Sequence, residues 1–171
     1  MKAGGGSQLN GYPLITEDEF LRTYHKYLRT VFGIALSYTK NDTDACDIAQ
    51  EVFMKYYTSR KRFNDDEHLK AWLIRVTINA CKKYLLSSWI KRTVPLDETI
   101  PFESKEDSDL FSAVMDLPLK YRTVVHLHYY EGYSIAEIAS LLKTKESTIK
   151  VRLMRARTKL KEKLKEVWLD E

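Results

Sequence analysis

Apolar residues recur at helical spacing through most of the chain. Phe20, Tyr24, Tyr27, Leu28, Val31, Ala35 and Tyr38 repeat every three or four positions, which predicts a helix over 17–39. Thr16, with Glu19 three residues on, has the spacing of a capping box at its start. Asn41-Asp42-Thr43-Asp44 reads as a turn with a ready cap, and a second helix follows that buries Ala45, Ile48, Ala49, Val52, Phe53 and Tyr56. Residues 59–68 are polar, with Phe63 as their one large apolar side chain. A third helix, running to about Ser88, buries Leu69, Trp72, Leu73, Val76, Ala80 and Tyr84. Three such helices can share one core.

From Trp89 to Asp109 the periodicity fails, and Pro95, Pro101 and acidic residues mark a linker. Phe111, Val114 and Met115 then open a second unit near Leu110. Pro118 suits the first turn of the next helix, with Asp116 as its cap and Tyr121, Val124, Val125, His128 and Tyr129 as its buried face. Gly132 suits a left-handed position after that helix, and Ser134 with Glu137 forms a second capping box. The short helix behind it points Ile135, Ile138, Ala139 and Leu142 inward. After Lys143-Thr144-Lys145 comes a longer helix with Ile149, Leu153, Ala156, Leu160, Leu164 and Val167 on one stripe. The expected fold is all-α: a leader over 1–11, one helical domain over 12–88, an acidic linker over 89–109 and a second helical domain over 110–171.

Composition narrows the function classes. No apolar run reaches the ~18–20 residues a membrane span needs, and no signal peptide opens the chain, so a cytoplasmic protein without membrane insertion is expected. Cys46 and Cys81 have no CxxC partner, and the four histidines lack ligand spacing, so no metal is expected. No phosphate loop, nucleophile elbow or paired carboxylate motif stands out, so neither a cofactor, a small-molecule substrate nor an enzyme activity is expected. The net charge of +4 is unevenly spread: +2 over 12–88, −3 over 89–110 and +4 over 111–171. Between Lys143 and Lys165 stand ten Lys and Arg against only Glu146 and Glu162, a footprint suited to a polyanion.

A short alanine-containing helix, a tight turn and a basic helix is the arrangement of a DNA-reading helix-turn-helix. The alternative reading is an ordinary helical hairpin with a charged face. Leu117-Pro118-Leu119-Lys120-Tyr121-Arg122, Tyr129-Tyr130-Glu131-Gly132-Tyr133-Ser134, Glu137-Ile138-Ala139 and the run from Thr148 to Arg157 resemble the −35-reading domain of bacterial sigma factors. The run from Asp44 to Phe53 resembles the helix by which these factors grip core RNA polymerase, and that from Ala71 to Asn79 resembles their −10-proximal helix. Two such domains in this order resemble the extracytoplasmic-function group of sigma factors, over roughly residues 16–167.

The resemblance implies roles. Asp47, Gln50 and Glu51 would meet the polymerase clamp. Phe63, Arg75 and Asn79 would serve a flipped −10 base, with Arg60, Lys61, Arg62, Lys82 and Lys83 on the backbone. Thr148, Lys150, Val151, Arg152, Met154 and Arg155 would read the −35 duplex. Partners implied are core RNA polymerase, promoter DNA and an anti-sigma factor. Phe63 could instead anchor its loop in the core, and Val151 or Met154 could pack at the helix flank. Many relatives carry Gly where Lys143 stands; a left-handed Lys costs ~1 kcal/mol, so either Thr144 takes over the cap or a phosphate contact by Lys143 offsets the strain. A free-standing helix-turn-helix regulator and a helical adaptor without a DNA role remain the rival functions.

Overall fold

A computed structural model describes residues 15–59, 61–88 and 105–169. The leader over 1–11, Arg60, residues 89–104 of the expected linker and the side chain of Val167 lie outside the described residues. Among the described residues seven α-helices follow one another: α1 (Glu17–Thr39), α2 (Asp42–Tyr57), α3 (Asp66–Ser88), α4 (Lys105–Asp116), α5 (Leu119–Val125), α6 (Ile135–Leu142) and α7 (Glu146–Leu169). A π-turn over His126–Tyr130 continues α5. Among the described residues there is no strand.

The local signals fold as the side chains dictate. Thr16 accepts from the Glu19 N–H, and Asn41 accepts from the Asp44 N–H at 2.8 Å, so α1 and α2 start where a side-chain oxygen satisfies an orphan donor. Ser134 and Glu137 form the full reciprocal box. Gly132 takes φ +75° after the π-turn. Lys40 and Lys143 take left-handed φ values of 54° and 52°, ending α1 and α6 where glycine is the usual residue.

Several expectations need correction. Asp116 does not cap α5: it closes α4 and pairs with Lys163, while Pro118 itself stands at the cap without a side-chain bond. The helix that opens the second unit starts at Lys105, inside the acidic segment. Tyr129 is 55% exposed, not buried, because the π-turn adds a residue to the helical repeat and brings Leu127 inward instead. The Glu131 N–H accordingly reaches back five residues to the His126 carbonyl.

α1, α2 and α3 form the first unit, with all six expected α2 residues buried. α3 buries more than its expected stripe, since Ile74, Thr77, Ile78 and Cys81 are inside as well. The second unit packs onto the first, so the two do not keep separate cores. α5 and the π-turn lie on α1, and α6 touches α3. Met115, Val124, Leu127, Ile138, Ile149 and Leu153 join the first unit's residues in one continuous buried cluster. A smaller cluster of Val114, Leu117, Tyr121, Val125 and Ala156 fills the space between α4, α5 and α7.

Two polar groups tie the units. Arg122, 4% exposed, donates from Nε to the Ser37 carbonyl on α1 and from Nη1 to the Met115 and Leu117 carbonyls at 2.7 and 2.8 Å. Glu131 accepts from the Thr30 hydroxyl at 3.0 Å, and Lys70 and His126 each approach it to 3.6 Å. Burial alone raises the Glu131 carboxyl, but the contacts from His126 and Thr30 and the charge of Lys70 outweigh it and hold the group below the ordinary range.

Candidate nucleic-acid interface

α7 is anchored by Ile149, Leu153 and Ala156, each fully buried. Burying a side chain such as Ile149 or Leu153 stabilises by ~1.5–3 kcal/mol, enough to fix the roll of the helix about its axis. That roll decides what faces outward. Lys150, Val151, Met154, Arg155 and Arg157 are exposed, and Thr148 and Arg152 are half-buried. Val151 and Met154, at 41% and 58% exposure, stand on the outer face and do not pack at the flank. Of the flanking cations, Lys163 is taken up by Asp116.

The turn before α7 sets its register. The Thr144 N–H returns to the Ala139 carbonyl at 2.9 Å, which ends α6. The Lys145 carbonyl accepts from the Thr148 and Ile149 N–H groups, so Lys145, not Thr144, stands at the cap and Glu146 is the first helical residue. Thr148 through Arg155 therefore occupy the first three turns, the part of a recognition helix that reaches furthest into a groove.

A cavity of about 340 Å³ opens beside this face. It is lined by Lys120 and Tyr121 from α5 and by Ser147, Thr148, Val151, Arg152 and Arg155 from α7. Tyr121 is buried as its helical spacing predicts, and nothing in the motif shows that it and Lys120 also line a cavity with Arg155.

On α2, Asp47, Gln50 and Glu51 share an exposed face at i, i+3 and i+4. Glu51 is bridged to Lys55 at 2.6 Å, an exposed pair worth ~0.3–0.5 kcal/mol that a stronger partner can displace. Asp44, at the edge of the same helix, accepts from the Tyr84 hydroxyl at 2.6 Å. Burial, then Asp44, pushes that phenol up to about 12.

Phe63 is half-buried, 5.4 Å from both the Trp72 and His68 ring centroids and 6.2 Å from that of Tyr56. It anchors its loop on the core. The loop is held further by Asp65, which accepts from the His68 N–H at 2.7 Å, and by the Lys26–Asp66 pair. Lys61 lies over the Trp72 ring at 5.9 Å. Arg75, Asn79, Lys82 and Lys83 form an exposed stripe on α3, opposite its buried residues. Among the described residues no group of His, Cys, Asp and Glu gathers as metal ligands, and no helix is long and apolar enough to cross a membrane.

Known proteins match this arrangement along most of the chain. Residues 23–90 match sigma-70 region 2, and residues 109–160 match sigma-70 region 4. The chain is 34% identical to RNA polymerase sigma factor SigV of Bacillus subtilis (strain 168), over 78% of this chain and 82% of that protein. It is 29% identical to ECF RNA polymerase sigma factor SigM of Mycobacterium tuberculosis (strain ATCC 25618 / H37Rv), over 84% of this chain and 74% of that one. Its fold matches the sigma factor RpoE of Bartonella quintana, solved with the anti-sigma factor NepR, with a TM-score of 0.76 and 24% identity over 86% of this chain and 98% of that one. The chain belongs to the extracytoplasmic-function group of RNA polymerase sigma factors.

Proposed function

We propose that residues 12–88 and 110–171 divide the work of promoter recognition between them, with the segment over 89–109 as their connection. The second unit reads the −35 duplex through Thr148, Lys150, Val151, Arg152, Met154 and Arg155. The first holds core RNA polymerase through Asp47, Gln50 and Glu51. It serves the melted −10 strand through Arg75, Asn79, Lys82 and Lys83 and through the exposed part of Phe63, whose buried part anchors the loop. The observation that carries this reading is the outer face of α7: two apolar and several cationic side chains, exposed together behind a tight turn. Val151 and Met154 suit thymine methyls and sugars, Arg155 suits guanine O6 and N7, and Lys150 suits phosphate.

The chain supplies specificity, and RNA synthesis belongs to the polymerase, so it is not itself an enzyme. It works in the cytoplasm, where the promoter and the polymerase are. An anti-sigma factor is the expected regulator, as the solved relative from Bartonella quintana was crystallised with one.

Run-off transcription with purified core polymerase tests the reading. The wild-type chain supports initiation from a promoter selected on its holoenzyme, and Asp47→Ala with Glu51→Ala loses core binding. A free-standing regulator predicts intact DNA-directed activity in that double variant. An adaptor without a DNA role predicts an affinity that barely changes as salt rises, where phosphate contacts predict a steep fall.

A further inference from the structure

The cavity between α5 and α7 sets Lys120 and Tyr121, which the −35 reading does not use, beside four residues that it does use. Its seven lining residues include three cations, Lys120, Arg152 and Arg155, and three hydroxyls, Tyr121, Ser147 and Thr148, with no acid among them. The Tyr121 ring is buried among Val114, Leu117, Val125 and Ala156, so its phenol is held in place from behind. Tyr121 from α5 and Arg155 from α7 line the same cavity. Lys120 lies over the same ring, 5.1 Å from its centroid. Arg155, and after it the nearby charge of Lys120, hold the Tyr121 phenol below its ordinary value.

Groove dimensions say what meets this flank. A helix with its side chains is ~10–12 Å across, and the major groove is ~12 Å wide. A recognition helix seated there therefore has a phosphate wall along each flank. The cavity occupies the flank of α7 that faces α5, and an acid-free lining of hydroxyls and cations matches a phosphodiester.

We propose that Tyr121 and Lys120 are part of the −35 DNA site: Lys120 neutralises a backbone phosphate seated at the cavity, and Tyr121 is a positioning residue that orients the Arg155 guanidinium toward its base. This rests on the −35 reading of α7. It adds two residues from a helix outside the helix-turn-helix itself, and it gives them different tasks. Lys120 contributes affinity without sequence preference. Tyr121 contributes preference, because a guanidinium held by a fixed acceptor presents its fork in one orientation.

The test uses holoenzyme made with full-length Tyr121→Phe, Lys120→Gln, Arg155→Ala and the Tyr121→Phe/Arg155→Ala double variant. The probe is a labelled duplex pool randomised in its −35 window and selected on wild-type holoenzyme, beside a fixed duplex of unrelated sequence. Tyr121→Phe keeps the buried ring and should lower discrimination at one base position by about two- to tenfold, the worth of one hydrogen bond, with its salt slope unchanged. Added to Arg155→Ala it should do nothing more. Lys120→Gln should reduce the slope of log affinity against log salt by about 0.9, equally on both duplexes. If Arg155→Ala costs discrimination while Tyr121→Phe and Lys120→Gln match wild type, the proposal fails and the −35 reading stands. A Tyr121→Phe loss that persists in full on Arg155→Ala also overturns the positioning role. If Arg155→Ala is itself silent on the selected duplexes, both fall.

Discussion

Arg122 is one of two cations in the Leu117–Arg122 motif, and its burial predicts that it acts inside the fold. It is almost wholly buried, and three backbone carbonyls, of Ser37, Met115 and Leu117, are its acceptors. Burial lowers its basicity, while Asp116 and Tyr38 favour the charged form. Replacing it with Met keeps much of the volume and leaves those carbonyls without their donor. Hydrogen bonds to a charged group are worth ~1.5–3 kcal/mol each, and they do not add. Stranding buried polar partners in this way costs about 3–5 kcal/mol, a large share of the ~5–15 kcal/mol that holds a domain together. At 2–4 °C per kcal/mol for a chain of this size, the melting temperature should fall by roughly 6–20 °C. Arg122→Lys should recover less than half, since one ammonium cannot span three carbonyls on two elements. Urea midpoints and thermal melts of the three proteins measure this. A loss below about 1 kcal/mol for Arg122→Met would show that water replaces the guanidinium at no cost, and the clamp would be refuted.

Two further substitutions probe the contact between the units. Gly33→Ala sets a methyl 3.0 Å from His126 Cε1, and that ring is pinned by stacking on Tyr130 and by Glu131. The strain of ~1–3 kcal/mol should outweigh the ~0.5–1 kcal/mol that Ala gains over Gly in a helix; the melting temperature drops, the sign reverses on a His126→Ala background, and a stabilised single variant would contradict the packing. Glu131→Gln should cost ~1–3 kcal/mol at neutral pH. The native Glu131 carboxyl is held below its ordinary value, so its contribution is present above the unfolded pKa of ~4.3 and is lost as pH falls through the folded one. Urea midpoints of wild type and variant should converge on acidification, and a gap that widens would contradict the assignment.

Much of this was legible before the structure, and the misses share a cause. The six inward positions of α2 follow from a 3.6-residue repeat because α2 meets only one set of neighbours. α3 meets α1, α2 and α6, and Ile74, Ile78 and Cys81 are buried beside the expected stripe, a wider inward face than one 3.6-residue stripe predicts. Tyr129 was read inward because an unbroken helix carries position 121 onto 125 and 129, and a single π-turn undoes that phase. Arg122 and Tyr121 were hidden differently. The sequence assigns Arg122 no role of its own, and Tyr121, expected on the buried face, is buried as expected. Only the fold brings Arg122 to the end of α1 and sets Tyr121 and Arg155 on one cavity.

The packing of the two units bears on how their surfaces are used. Elements at −35 and −10 lie about 25 base pairs apart, or ~85 Å at 3.4 Å per base pair. A compact chain of 171 residues has a radius of gyration near 15–16 Å and is about 40 Å across. If the two units take the −35 and −10 elements as proposed, one packed body cannot touch both, and α5 and the π-turn leave α1 when the promoter is engaged. Most of Arg122 survives that step, because its bonds to Met115 and Leu117 stay inside the second unit and only the bond to Ser37 is broken. Glu131 gives up Thr30 and Lys70 and keeps His126. Apolar surface from both sides of the shared cluster is exposed at the same time. A ligand shifts such an equilibrium only by its differential affinity for the two states. On that reading a promoter that needs the units apart binds with an apparent affinity reduced by the fraction already open. The contacts between the units thus set how strongly this chain must be pulled before it reads DNA.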